Sequence, residues 1–313
     1  MELDQALSES TVILLALGGY EADPQRLARA VAYFQRRFRH VIVAPPPERI
    51  SERFSATDSE RLGALQAALV HPDVGLVIGL RGGYGVSRIL GSIDFAAIAQ
   101  SIQERGVFWV GQSDWTALTL ALLAKTGAVS FAGPMAGPDF GAEHVDAYTE
   151  THFWSALAGD PLTVQWSTKE SSIDVEGMLW GGSLAMICSL IGTPYLPAVD
   201  GGILFVEDVN EHPYRIERML LQLDEVGILR RQQALVLGDF TSYRTTDYDR
   251  GYGLASVVDF LQKRIGIPII TGLPFGHAAQ KLTLPVGAIV RLRAQGPQMH
   301  LSSAPPASQR ALQ

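Results

Sequence analysis

A serine between a buried strand and the first turn of a helix has two uses, and Ser113 sits at such a junction in VGQSDWTALTLALL, 110–123. Its side chain can cap the helix. Alternatively, its hydroxyl can stand at the sheet edge as a nucleophile, with the Asp114 amide directed where a tetrahedral oxyanion would develop. The arrangement resembles a nucleophile elbow, although Trp115 stands where G-x-S-x-G requires its second glycine. Both readings stay open on this segment alone. A nucleophilic serine needs a base, and the seven histidines are His40, His71, His144, His152, His212, His277 and His300. His277 stands apart because it follows IPIITGLPFG, a strand and a glycine-containing loop able to present an imidazole to another domain. The segment ILFVEDVNEHPYRIER brings Glu207 and Asp208 to the end of a strand, with Glu211 close behind. One of these carboxylates could orient the imidazole and stabilise its charged form, or cap the helix that follows.

A second unusual loop, RGGYGVSRIL, begins at Arg81 directly after the apolar run VGLVIGL. Gly82, Gly83 and Gly85 permit tight turns and close approach of backbone to a ligand. The G-x-G-x-x-G and P-loop spacings are absent, so the loop is a phosphate cradle of another kind, an oxyanion hole of backbone amides, or a strand-to-helix turn. Arg81 is a candidate for bidentate carboxylate binding. The sequence shows no H-E-x-x-H, clustered Cys/His or EF-hand pattern, and no metal or cofactor is expected. Cys188 lies in an apolar helical stretch, where a packing role is expected.

These loops need a scaffold. TVILLAL at 11–17 ends at Gly18 and Gly19, and DPQRLARAVAYFQRRF behind it has helical spacing, with Asp23 as N-cap and Pro24 at N1. HVIVAPP, SERLGALQAALV, VGLVIGL, VSRILGSI, GVFWVGQ, DWTALTLALLAKTG and VSFAGP continue the alternation. This predicts an α/β architecture: a doubly wound parallel sheet with helices on both faces, closed by a helix within HVDAYTETHFWSALAG. After about residue 160, VQWS, ILFVED, ALVLGDF, IPIITG and AIVRLRA predict a second, sheet-rich domain with helices at 183–192 and 214–227. The expected divisions are 1–160, 161–302 and a disordered polar tail at 303–313.

The 313 residues include 25 Lys and Arg against 32 Asp and Glu, for a formal charge of −7, with 47% hydrophobic residues and one cysteine. The apolar content suffices for two cores. A lone cysteine excludes an intramolecular disulfide and fits a reducing compartment. Scattered basic residues on an acidic chain leave no footprint for nucleic acid, and RRFRH at 36–40 fits the solvated end of a helix. Glu2 and Asp4 stand where a secretory signal carries Lys or Arg. The uncharged run 177–199 is broken by Gly181, Gly182, Gly192, Pro194 and Pro197, unlike a membrane-spanning helix. The expectation is a soluble cytoplasmic protein without membrane or nucleic-acid partners.

RGGYGVSRIL, GQSDWTAL, FAGPM, EGMLWGGSLAMICSLIGTP, GILFVEDVNEHPYRIERMLLQL and GLPFGHAAQKLTLPVGA together resemble, in order and spacing, the segments of the serine LD-carboxypeptidases. These are the muramoyltetrapeptide carboxypeptidases of cell-wall recycling, and the likeness, covering nearly the whole chain, is greatest to the short cytosolic enzymes of Gram-negative bacteria. The resemblance implies Ser113 as nucleophile, Glu207 as acid and His277 as base, with Ser113 on a doubly wound domain and the other two on a barrel-like one. It implies oxyanion donors at the amides of Asp114 and Gly83, a homodimer, and a murein tetrapeptide substrate. Ser113 would attack the diaminopimelate carbonyl, D-Ala would leave, and water would resolve the acyl-enzyme, with Arg81 or the Gly82–Gly83 amides receiving the terminal carboxylate. Two segments depart from the family pattern: Ser183 replaces the usual Asn of G-G-N, and ALGGY replaces A-P-S/A. The competing readings are the branch that hydrolyses processed peptide-nucleotide antibiotics, a non-catalytic muropeptide-binding protein, and a conventional α/β-hydrolase.

Overall fold

Strands β1 (Thr11–Leu15), β2 (His40–Ala44), β3 (Val74–Gly79), β4 (Phe108–Gly111) and β5 (Ser130–Ala132) form a parallel sheet in the order β5-β4-β3-β1-β2. The computed structural model describes residues 7–168 and 172–303; the expected tail, from 304 onward, lies outside them. β1, β3 and β4 are buried along almost their whole length, which is why their sequences are unbroken apolar runs rather than alternating ones. Asp23 caps the helix Pro24–Phe34 by accepting from the Gln25 and Arg26 amides, as the Asp-Pro signal predicts. The strand order reverses between β1 and β3, and open α/β sheets bind ligands outside the carboxyl ends of strands at such a switch. The loops after these two strands meet there: the Gly19 amide donates to the Gly82 carbonyl at 3.0 Å.

The second half contributes β6 (Thr163–Ser167), β7 (Asp174–Ser183), β8 (Ile203–Val209), β9 (Ala234–Thr241), β10 (Ile269–Thr271), β11 (Leu284–Val286), β12 (Ile289–Gln295) and β13 (Gln298–Ser303). Seven of these form a sheet in the order β10-β9-β8-β7-β12-β13-β6. Its two edges are tied by a side chain: Trp166 of β6 donates from Nε1 to the Thr271 carbonyl of β10 at 2.9 Å. The result is the expected barrel-like form. β11 leaves this half and pairs antiparallel with β5 as the edge of the first sheet, so one short run beyond residue 161 completes the sheet built by the first half. The uncharged run after 177 is the inner part of β7 followed by the helix Leu184–Ser189, which is shorter than the expected 183–192 and is capped by Ser183. The second expected helix spans Pro213–Glu225.

Between the halves lies the helix Thr116–Thr126, buried at eight consecutive positions from Thr116 to Leu123. A helix apolar on every side has partners on every side, and one continuous core runs from Leu15 and Trp115 through Leu118 and Leu122 to Ile187 and Phe205. Ser113 stands at the head of this helix, at the junction of the two halves. Among the described residues no helix is long and apolar enough to cross a membrane.

Candidate active site

β4 ends at Gly111, Gln112 is extended, and Ser113 turns the chain into the 3-10 turn Ser113–Trp115 with φ +62°. A left-handed non-glycine residue costs about 1–2 kcal/mol. No side chain caps this turn or the helix behind it, so Ser113 does not serve as a cap. The absent elbow glycine has a packing explanation. Trp115 is fully buried beneath the sheet, and a methyl group on Gly111 or Gly79 would stand 2.5 or 2.8 Å from its ring. The room that G-x-S-x-G leaves after its serine is provided here by glycines in β4 and β3.

Glu207 lies near the carboxyl end of β8 and has no exposed surface. Its Oε2 is 2.7 Å from His277 Nδ1. With a carboxylate as acceptor, Nδ1 carries the proton and Nε2 keeps a lone pair. His277 in turn abuts the residue before Ser113, with Gln112 Nε2 3.4 Å from Nδ1. Asp208, the next residue, accepts from the Ala185 amide at 2.8 Å and the Ser183 hydroxyl at 3.5 Å, holding the helix Leu184–Ser189. Burial pushes its carboxyl up to about 6, the Ala185 amide opposing and the neighbouring Glu207 charge adding to the rise. Glu211 pairs with Arg215 at 3.6 Å. Of the three candidate acids, the geometry brings Glu207 to the imidazole and sends the other two elsewhere.

The glycine-rich loop closes over the serine. A Cβ on Gly82 would lie 2.7 Å from Ser113 Oγ and 3.5 Å from the Asp114 nitrogen. Gly83 has φ +95°, and no other backbone group among the described residues pairs with its amide or with that of Asp114. The Asp114 carboxylate is buried and accepts from the Val86 amide at 2.9 Å, tying the end of the loop to the Ser113 turn. Burial pushes this carboxyl up to about 6, opposed by the Val86 amide and by the charges of Arg61 and Arg53. Arg61, itself fully buried, donates to the Leu17 carbonyl and pairs with Asp58 at 2.6 Å. Arg81 donates from Nη1 to the Tyr20 carbonyl at 2.7 Å, so one arm of its fork braces the loop after β1. Cys188 is a packing thiol: burial pushes it up to about 12.

Three further residues, Gln112, Asp139 and Lys281, adjoin the site, and none of them has a role assigned from the sequence. Lys281, 4% exposed, pairs with Asp139 at 2.8 Å and donates to Gln112 Oε1 at 3.3 Å. The available signal was a lysine directly before the largely apolar stretch LTLPV, four positions after His277. Among the described residues, no three or more His, Cys, Asp or Glu are grouped to hold a metal ion.

Residues 11–133 match the LD-carboxypeptidase N-terminal domain and residues 176–292 match the LD-carboxypeptidase C-terminal domain. The chain belongs to the LD-carboxypeptidase family. A muramoyltetrapeptide carboxypeptidase from Oxalobacter formigenes, known from its crystal structure, is 44% identical with a TM-score of 0.86, covering 94% of this chain and 99% of that one. A probable murein peptide carboxypeptidase of Bacillus subtilis (strain 168) is 30% identical over 91% of this chain and 89% of its own length. The murein tetrapeptide carboxypeptidase of Pseudomonas aeruginosa is 31% identical, with 74% of this chain and 77% of the relative covered.

Proposed function

We propose that the chain is a serine LD-carboxypeptidase that removes terminal D-Ala from murein tetrapeptides, cutting the bond between the L-centre of meso-diaminopimelate and D-Ala. One observation carries the reading: a left-handed Ser113 at a strand-to-helix elbow directly follows Gln112, whose side chain lies 3.4 Å from an imidazole whose Nδ1 is 2.7 Å from a carboxylate with no exposed surface. Ser113 Oγ attacks the diaminopimelate carbonyl as His277 Nε2 takes its proton, and Glu207 stabilises the imidazolium. The amides of Asp114 and Gly83 receive the oxyanion. On collapse His277 returns the proton to the departing D-Ala nitrogen. A water then attacks the acyl-enzyme by the same proton route and frees Ser113. Arg81 and the Gly82 amide are the proposed partners of the terminal carboxylate, Arg81 through the guanidinium donors not directed at Tyr20. The enzyme acts in the cytoplasm, on murein fragments returned for recycling, as a homodimer.

A substrate panel tests this reading. L-Ala-γ-D-Glu-meso-diaminopimelyl-D-Ala should release D-Ala, while the L-Ala-terminated peptide and an aminoacyl-sulfamoyl adenosine should remain intact. Cleavage of the sulfamoyl adenosine with an intact tetrapeptide would move the assignment to the antibiotic-hydrolysing branch. Tight tetrapeptide binding without D-Ala release would leave a binding protein.

A further inference from the structure

We infer that Lys281 is a positioning residue for the catalytic base: through Gln112, its buried ammonium keeps the His277 Nδ1 proton directed at Glu207. The inference rests on the catalytic reading proposed above and adds to it a residue which neither the motifs nor the comparisons single out.

His277 lies in the irregular run 272–283 between β10 and β11. A segment without its own ladder holds a side chain to the tolerance of proton transfer only when tied down from outside. Gly272, Leu273 and Phe275 are held by backbone bonds to β9; beyond His277 the ties centre on Lys281 and the nearby Ala279, and these reach the opposite half of the molecule. The Lys281 amide donates to Thr149 Oγ1 at 2.9 Å, and that hydroxyl donates to the Ala279 carbonyl at 2.7 Å. Lys281 Nζ lies 2.8 Å from Asp139 Oδ1, while Asp139 Oδ2 accepts from the Met135 amide at 2.7 Å. The third tie carries the consequence. Nζ has only donors, so the Gln112 side chain must turn its oxygen to Lys281, at 3.3 Å, and its NH2 to His277 Nδ1, at 3.4 Å. A flipped amide would set a carbonyl oxygen beside Nδ1–H, where it would compete with Glu207 for the proton. The ammonium excludes that flip. The NH2 group offers Nδ1–H no acceptor, and the imidazole proton stays with Glu207 Oε2. Gln112 directly precedes Ser113 and is buried, so one side chain registers the base against the nucleophile.

The experiment compares the parent with Gln112→Met and Lys281→Met, each also made in a His277→Ala background. Two readouts are taken on folded protein. One is the rate of Ser113 phosphonylation by a fluorophosphonate, in which the Oγ–P bond forms, fluoride leaves and the Oγ proton passes to His277. The other is kcat and KM for the tetrapeptide. Both variants should lose about ten- to hundredfold in phosphonylation rate and kcat, with KM unchanged and no further loss in the His277→Ala background. Parental rates in Gln112→Met, or an equal fractional loss without His277, would overturn the inference. Should Lys281→Met fail to fold, Gln112→Met decides, because it leaves the Lys281–Asp139 pair in place. A parent that labels at Ser113 but releases no D-Ala would end the substrate reading, and the labelling rates would still judge Lys281. A parent that does neither overturns both.

Discussion

Glu207 has one oxygen on His277 and the other without a partner among the described residues, so its charge meets the imidazole proton alone. Glu207→Gln keeps the shape and removes that charge. An amide presenting NH2 to Nδ1 drives the proton to Nε2, the position that must accept from Ser113. We predict a fall in kcat of about 10³–10⁴-fold with KM little changed, measured by steady-state D-Ala release; a loss below tenfold would show that Glu207 does not set the tautomer. Asp114 gives a separate, pH-dependent signature. Its folded pKa of about 6 stands above the ordinary 3.8, so the native chain binds this proton more tightly than the unfolded one and loses stability as pH rises between those values. Asp114→Asn removes this loss. Relative to the parent, the variant should gain on the order of 2 kcal/mol from pH 4 to pH 7 in urea unfolding, and parallel curves would contradict the account. At this scale Ser113, Glu207 and His277 were all legible as candidates. The choice of Glu207 over Asp208 came only from the family resemblance, because adjacent strand residues face opposite ways and residue type and spacing do not say which face is which.

The elements around the site are placed by glycines that admit other atoms. Gly82→Ala would set a methyl 2.7 Å from Ser113 Oγ, displacing the proposed nucleophile or the loop above it. We predict a loss of at least about 100-fold in kcat. Gly63, in the helix Asp58–Val70, is the control: a Cβ there meets nothing within 4 Å. Gly63→Ala should gain about 0.5–1 kcal/mol in stability with activity unchanged. Equal activity in both variants would refute the close approach. Strand-loop-helix units such as β3 with RGGYG were readable because punctuation and apolar runs are local signals. β11 was not, since Leu284–Val286 is three residues whose pairing with β5 spans more than 150 positions of chain. The wide apolar surface of Trp115 likewise gave no hint that Gly79 and Gly111 would receive it.

At the scale of the whole molecule, the two sheets share one core and hold Ser113 and His277 on opposite sides of a common boundary. The Ser183 amide donates to Thr116 Oγ1 across that boundary at 3.0 Å. Far from it, the Trp166 to Thr271 bond joins the edges of the second sheet. Trp166→Phe should therefore cost stability, about 1–2 kcal/mol by chemical denaturation, while kcat stays at the parental value; a matching loss of kcat would mean that edge closure reaches the site. Alternation of strands and helices made the doubly wound half legible, whereas barrel closure depends on a side chain meeting a distant carbonyl. The most direct test of the whole account is D-Ala release from the tetrapeptide by the parent and by Ser113→Ala at equal folded concentration. The account predicts release by the parent and a loss of at least about 10³-fold in the variant. Release at comparable rates by both would contradict it.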